Sequence, residues 1–203
     1  LQNEHIPGLI RISLFHYLFG YIHPFYDGNG RTSRFITSYY LAKMLHPLVA
    51  IRLSITIKKS LRVYYKLFED TNHQGNYGDL TPFVTGFLWL IQKSLTRINE
   101  ILQERKEKLK TLASQLKNNY FKSPKNKTDW KIYFVLLQAY LFSDDGAALE
   151  EIAGTVGQSG KTIRKHIKSY PSERIMTNTT RKAHRYKLST DFIRELEALA
   201  TKS

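Results

Sequence analysis

Apolar residues recur at spacings of three and four along most of the chain, and this rhythm predicts a mainly helical protein. Leu9, Ile12, Leu14, Phe15, Leu18, Phe19 and Ile22 mark a first, buried helix that opens near Pro7 and ends between Gly20 and His23. Residues 31–45 read as a second helix with Phe35, Tyr39, Ala42 and Leu45 on one side, and 55–70 as a third, rich in tyrosine and lysine. The polar stretch 71–79, with Gly75 and Gly78, is a loop. Thr81-Pro82 has the form of an N-cap and first-turn pair, and Val84, Phe87, Leu88, Ile91, Leu95, Ile98 and Leu102 continue the helical rhythm from there to about Leu116.

Between 118 and 129 the rhythm stops in a run of Asn, Lys and Ser around Pro124, where the domain boundary is expected. After it, 130–142 is a strongly apolar helix, 149–156 a short one, and Ser159 caps another that ends before Pro171. Two short strands, 175–177 and 185–188, flank a basic tip, and Asp191 caps a last helix to about Ala200. The expected organisation is an all-helical domain over 1–117, a linker over 118–129 and a small α+β domain over 130–203.

Composition narrows the chemistry. The 203 residues contain no cysteine, which excludes a disulfide scaffold, a thiolate nucleophile and a cysteine-ligated metal. No apolar run approaches the ~18 residues of a membrane span and no signal-peptide layout opens the chain, so a cytoplasmic protein is expected. Leu1, in place of an initiator methionine, suggests a fragment of a longer chain. The net charge of +14 asks for a polyanionic partner, and it is unevenly spread. Between Lys161 and Lys187 stand nine basic residues and one acid, Glu173.

The densest chemistry lies between the first two helices, in His23-Pro24-Phe25-Tyr26-Asp27-Gly28-Asn29-Gly30-Arg31-Thr32-Ser33-Arg34. A tight turn would explain Asp-Gly and Asn-Gly but nothing else in the run. Glycines on both sides of Asn29 let successive backbone N–H groups converge on an anion, and the helix beginning at about Arg31 adds its positive end. Arg31 and Arg34 share a face of its first turn, where cations oppose the helix dipole unless a multiply charged anion neutralises them. A polyphosphate fits that requirement. Asp27 offers the single carboxylate that Mg²⁺ takes alongside phosphate oxygens, and His23 offers an imidazole, a side chain whose ordinary pKa of ~6.5 suits a general base at neutral pH.

The run meets every position of H-x-F-x-[DE]-G-N-G-R-x-x-R, and on it the chain resembles the Fic (Fic/Doc) family over roughly residues 5–105. Val63-Tyr64-Tyr65 and Gly78-Asp79-Leu80-Thr81-Pro82-Phe83 are similar to the family's flanks. The resemblance implies an all-helical Fic core that transfers AMP from ATP to a Ser, Thr or Tyr hydroxyl of a target protein. It implies His23 as the base that deprotonates the hydroxyl, Asp27 as the Mg²⁺ ligand, and Gly28, Asn29, Gly30, Arg31, Arg34 and Tyr65 around the nucleotide, with Asn29 and Arg31 also catalytic. Phe25 is implied to pack the loop into the core. Two family features have no counterpart: a target-binding flap upstream of the histidine, for which the 22 preceding residues are too few, and an inhibitory [ST]-x-x-x-E-[GN] helix.

In the C-terminal part, Ala153, Gly157 and Ile163 follow the small residue, turn and branched plug of a helix-turn-helix, and residues 130–190 resemble a winged helix-turn-helix. Lys161, Arg164, Lys165 and Lys168 then form a basic stripe opposite Ile163 and Ile167, with Arg181 and Lys182 at the wing tip, as duplex DNA would require. A solvated face on a protein-binding module has the same composition. The alternative to an enzyme is therefore a DNA-binding regulator whose Fic portion only senses nucleotide. His166, His184 and the other histidines outside the motif lack metal-ligand spacing and read as structural or phosphate-adjacent.

Overall fold

The structure, a computed structural model, describes residues 5–123, 127–180 and 183–201. Two compact units divide the chain, Leu1–Ile101 and Leu102–Ser203. The first contains α1 (Gly8–Ile22), α2 (Asn29–Met44), α3 (Pro47–Lys59), α4 (Leu61–Asn72) and the beginning of α5 (Thr81–Tyr120). Its core is built from Ile12, Leu41, Leu53, Ile57, Phe83 and Phe87, with Tyr17 and Tyr64 as aromatic walls.

The helical rhythm locates the elements of this unit better than it locates their buried faces. In α1 the buried residues are Ile12, Ser13, His16 and Tyr17, while Leu18 and Ile22 face outward. Helix α2 departs further: Phe35, expected on the packed side, is 73% exposed, and the buried stripe is Asn29, Ser33, Thr37 and Leu41. Three polar residues at spacing four form that stripe because each finds an internal partner: the loop backbone for Asn29, the Gly30 carbonyl for Ser33 and the His16 ring for Thr37. Their small size also lets α2 lie close to α1 and α3.

The single helix expected over 55–70 is two. Helix α3 starts at Pro47, where the His46 ring accepts from the Leu48 N–H at 3.2 Å, and it closes at Ser60, whose φ of −122° and ψ of 31° leave the helical region. The Ser60 carbonyl then accepts from the Tyr64 N–H at 2.9 Å and starts α4. A serine can serve both ends because its backbone groups are shared between the two helices.

The second unit takes the remainder of α5, then α6 (Lys127–Phe142), β1 (Ala147–Ala148), α7 (Leu149–Val156), α8 (Gly160–Ser169), β2 (Ile175–Asn178), β3 (Arg185–Leu188) and α9 (Thr190–Ala200). The units part at 101/102, ahead of the stretch 118–129 read as a linker, because Leu109, Leu112, Ala113 and Leu116 of α5 pack with Ile132, Leu136 and Leu196. The three strands form an antiparallel sheet in the order β1-β3-β2, with Ala147 opposite Tyr186 and Ile175 opposite Leu188. Strand β1, only two residues long, carries no alternation that a sequence pattern could register. A three-residue turn at Gly157, left-handed at φ +76°, joins α7 to α8, and the Ser159 hydroxyl accepts from the Thr162 N–H to cap α8. Ser189 rather than Asp191 caps α9. Asp129 at the start of α6 accepts from both His166 Nδ1 (2.7 Å) and the Tyr170 hydroxyl (2.5 Å), which fixes α8 against α6. The residues thus form a mostly helical core followed by a small three-stranded α+β unit.

Candidate active site

Helix α1 ends where His23 takes a left-handed conformation, φ 52° and ψ 53°, with its N–H on the Phe19 carbonyl at 3.2 Å. Its Nδ1 stands 3.3 Å from the Gly20 carbonyl oxygen, which can only accept. A neutral ring in this setting carries its proton on Nδ1 and leaves Nε2, on an exposed residue, as an acceptor.

The loop that follows is held by one side chain. The Asn29 carboxamide accepts from the Phe25 N–H at 2.9 Å and donates to the Phe25 carbonyl at 2.5 Å, so both backbone groups of Phe25 are tied to the first turn of α2. Asn29 is buried, whereas Phe25 is 53% exposed, its ring tilted against that of Phe19 at 6.0 Å between centroids. The loop is thus anchored through the backbone of Phe25 and not, as expected, through burial of its ring. Gly28, at φ +85°, is the N-cap of α2, a conformation that an L side chain would strain. No side chain caps this N-terminus, so the first-turn amides are left for whatever anion approaches.

The charged residues converge on the same turn. Asp27 Oδ1 accepts from the Gly28 N–H at 2.6 Å and Oδ2 from Arg31 Nη2 at 3.0 Å, both side chains being largely exposed. Arg34 folds back along α2: a Cβ on Gly30 would lie 3.1 Å from its Nη1, so the glycine leaves the space that the guanidinium occupies. His23, Asp27, Gly28, Asn29, Gly30, Arg31 and Arg34 are therefore brought together at one helix junction. Tyr65 is not tied to them: it is 62% exposed on α4, its ring against Tyr64 at 5.5 Å.

Beneath the junction lies a cluster that sequence periodicity passes over. His16 is fully buried, its Nδ1 2.8 Å from Thr37 Oγ1 and its Nε2 2.8 Å from the Tyr64 hydroxyl. Burial, and after it the charge of Arg34, push the His16 pKa down to about 3. Burial raises Tyr64 to about 12 against the opposing pull of Arg34. The signal for this cluster was present as a lone histidine inside an apolar helix and two hydroxyl residues, Ser33 and Thr37, at spacing four.

In the second unit, Lys161, Arg164, Lys165 and Lys168 all project from the exposed side of α8, opposite the buried Ile163 and Ile167. Arg164 and Lys168 border a groove shared with Thr177 and His184 of the β2–β3 hairpin. Arg181 and Lys182 lie outside the described residues. Three other cations of the basic window serve the fold: Arg174 stacks over Tyr120 at 4.7 Å, Arg185 pairs with Glu151 at 3.1 Å, and Lys187 donates to the Asp144 carbonyl at 2.7 Å. Among the described residues no helix is long and apolar enough to cross a membrane, and no group of three or more His, Asp or Glu could hold a metal alone.

Residues 1–41 match the model of the Fic/DOC family. Over 98 residues the chain is 36% identical to the protein adenylyltransferase Fic of Drosophila erecta, which takes in 47% of this chain and 18% of that protein. Over 72 residues it is 39% identical to the protein adenylyltransferase Fic of Nematostella vectensis, 36% of this chain and 15% of the relative. The chain thus spans less than a fifth of the length of these relatives. No solved structure matches it.

The buried histidine sets a pH dependence. Its folded pKa lies below its unfolded value of 6.5, so between about 3 and 6.5 the unfolded chain binds the extra proton and stability falls as pH falls. The expected contribution approaches about 1.4 kcal/mol per pH unit in that window, and nothing above it. Urea denaturation of the parent and His16→Gln chains from pH 4 to 8 checks this, the variant having the shallower slope below pH ~6.5.

Proposed function

We propose that this chain is the core of a Fic-type protein adenylyltransferase, moving AMP from ATP to a hydroxyl side chain of a target protein. The observation that carries the reading is the junction of α1 and α2, where an acceptor nitrogen, a carboxylate, uncapped helix amides and two guanidinium groups lie within twelve residues. Each has a role in such a transfer. The phosphates rest on the amides of the first turn of α2, with Arg31 and Arg34 neutralising them and Asn29 keeping the loop in shape. His23 Nε2 takes the proton of the target hydroxyl as its oxygen bonds to the α-phosphorus and the bond to pyrophosphate breaks. Tyr65 stands as an exposed aromatic face for the nucleotide.

A magnesium ion suits this donor set in one way. Asp27 is a single exposed carboxylate whose two oxygens each make one hydrogen bond and keep a lone pair toward solvent. It would hold Mg²⁺ shared with the phosphates, and when bound the ion offsets their negative charge. The name of the relatives is the second support, at the level of the reaction.

For the second unit we propose a winged helix-turn-helix that docks on duplex DNA. The four cations on one face of α8 favour it: none of the four makes an ion pair among the described residues, although the same window spends Arg185 on Glu151. Lys161 and Lys165 lie one turn apart on that helix, as do Arg164 and Lys168, a spacing that follows a phosphate backbone. A regulator that binds DNA and merely senses nucleotide would have no need of a histidine poised as a base, and this favours the enzyme.

Incubation with α-labelled ATP and Mg²⁺ is expected to label the chain itself or a protein in a lysate, with labelling reduced at least ~100-fold by His23→Ala. Equal labelling by parent and variant would exclude the role of His23. Duplex binding is expected to weaken steeply between about 50 and 200 mM salt, and Arg164→Ala with Lys168→Ala to reduce the slope of log K against log salt by roughly 2. Binding that those changes leave untouched would exclude α8 as the DNA face.

A further inference from the structure

Away from the loop site, the first unit carries a groove between α3 and the beginning of α5. Arg52, Thr56 and Lys59 follow one another at spacings of four and three along the α3 wall, and Trp89, Lys93 and Arg97 at spacing four along the α5 wall. The walls meet at its base, where Ser94 Oγ lies 2.9 Å from Thr56 Oγ1, both residues being buried. Its volume is about 590 Å³, within the roughly 300–1,000 Å³ of ligand-binding clefts.

The groove is electrostatically unbalanced. Four cations line it, Arg52, Lys59, Lys93 and Arg97, against one acid, Glu100, and Arg97 already occupies that carboxylate at 2.9 Å. Arg52 makes no ion pair among the described residues, and its Nε is buried without a hydrogen-bond partner. Packing therefore holds this arginine in place while nothing inside the unit compensates its charge. Lys93 Nζ sits over the Trp89 ring, 4.8 Å from its centroid, and 3.5 Å from Ser60 Oγ, contacts that place the ammonium without neutralising it. Trp89 itself is half exposed and offers an apolar surface at the N-terminal end of its wall.

Shape narrows the occupant. From Trp89 to Glu100 the α5 wall is ~16 Å long, a length that an extended chain covers with about five residues. The axes of packed helices lie ~8–10 Å apart, which admits one extended chain and excludes a nucleic-acid duplex. Trp89 is the one aromatic side chain lining the groove, so a single nucleic-acid strand would find no succession of stacking platforms. We propose that this groove binds an extended acidic peptide segment of a partner protein. Its carboxylates meet Arg52, Lys59 and Lys93, and an apolar side chain among them lies on Trp89.

The test uses the full chain and a fluorescein-labelled peptide, Glu-Glu-Leu-Glu-Glu, with Gln-Gln-Leu-Gln-Gln and a five-nucleotide thymidine strand as comparisons, all followed by fluorescence anisotropy. Binding is read directly, without ATP or the transfer reaction, so the outcome is independent of the nucleotide reading. The acidic peptide is expected to bind and the glutamine peptide not to. Arg52→Gln should weaken binding about tenfold, and Lys59→Gln, which removes a more exposed charge, about threefold. Lys58→Gln removes the same charge one residue away, outside the groove, and should leave affinity within about twofold of the parent. Because Lys59 is exposed, its variant reports even where Arg52→Gln perturbs the fold. Equal losses from Lys58→Gln and Lys59→Gln would mean attraction to the net charge alone and overturn the proposal, as would parental affinity in both Arg52→Gln and Lys59→Gln. A thymidine strand that binds more tightly than the acidic peptide and is weakened by the same variants would reassign the groove to nucleic acid and equally overturn it.

Discussion

Burying a polar stripe obliges a protein to satisfy it, and the first unit is organised around that obligation on α2. Asn29, Ser33 and Thr37 follow one another at spacing four on the face turned inward. A buried amide or hydroxyl without a partner costs ~1–3 kcal/mol, so each must be met by a group fixed in space. Asn29 is met by the backbone of Phe25, which shapes the loop. Thr37 is met by His16 of α1, and the other nitrogen of the same ring reaches Tyr64 of α4. The loop and two helices are placed by a single line of small polar residues, and the outer face of the same helix carries Arg31.

This explains which parts of the fold were legible in the sequence. Apolar spacing located α1, α2, α5, α6 and, β1 apart, the elements of the second unit to within a few residues. It chose the wrong face of α2, since Phe35, Tyr39 and Leu45 are more apolar than the residues that are buried. It merged α3 with α4, since Ser60 carries no turn signal of the strength of glycine or proline. Strand β1 was too short to have a period. The basic window was read as one patch, yet Arg174, Arg185 and Lys187 are consumed by Tyr120, Glu151 and the Asp144 carbonyl. Only a structure separates cations that support a sheet from cations left for a partner.

The site itself was more legible than the packing beneath it. Its residues are contiguous, so spacing alone brought His23, Asp27, the Gly28-Asn29-Gly30 segment, Arg31 and Arg34 together, and the structure gathers them at one junction. One assignment within the run depended on contacts that spacing does not encode: Phe25 anchors through its backbone with its ring half exposed. Distance in sequence hid the buried cluster beneath the site, since His16, Thr37 and Tyr64 belong to three different helices.

Arg31 and Arg34 sit where a helix N-terminus already carries positive potential, and a bound polyanion would offset the charge that Asp27 alone leaves there. The products of ATP consumption test the account most directly. Attack on the α-phosphorus predicts pyrophosphate released in equal amount to AMP bound covalently to protein, as read by phosphorus NMR alongside peptide mass mapping. Release of inorganic phosphate with no AMP adduct would contradict it.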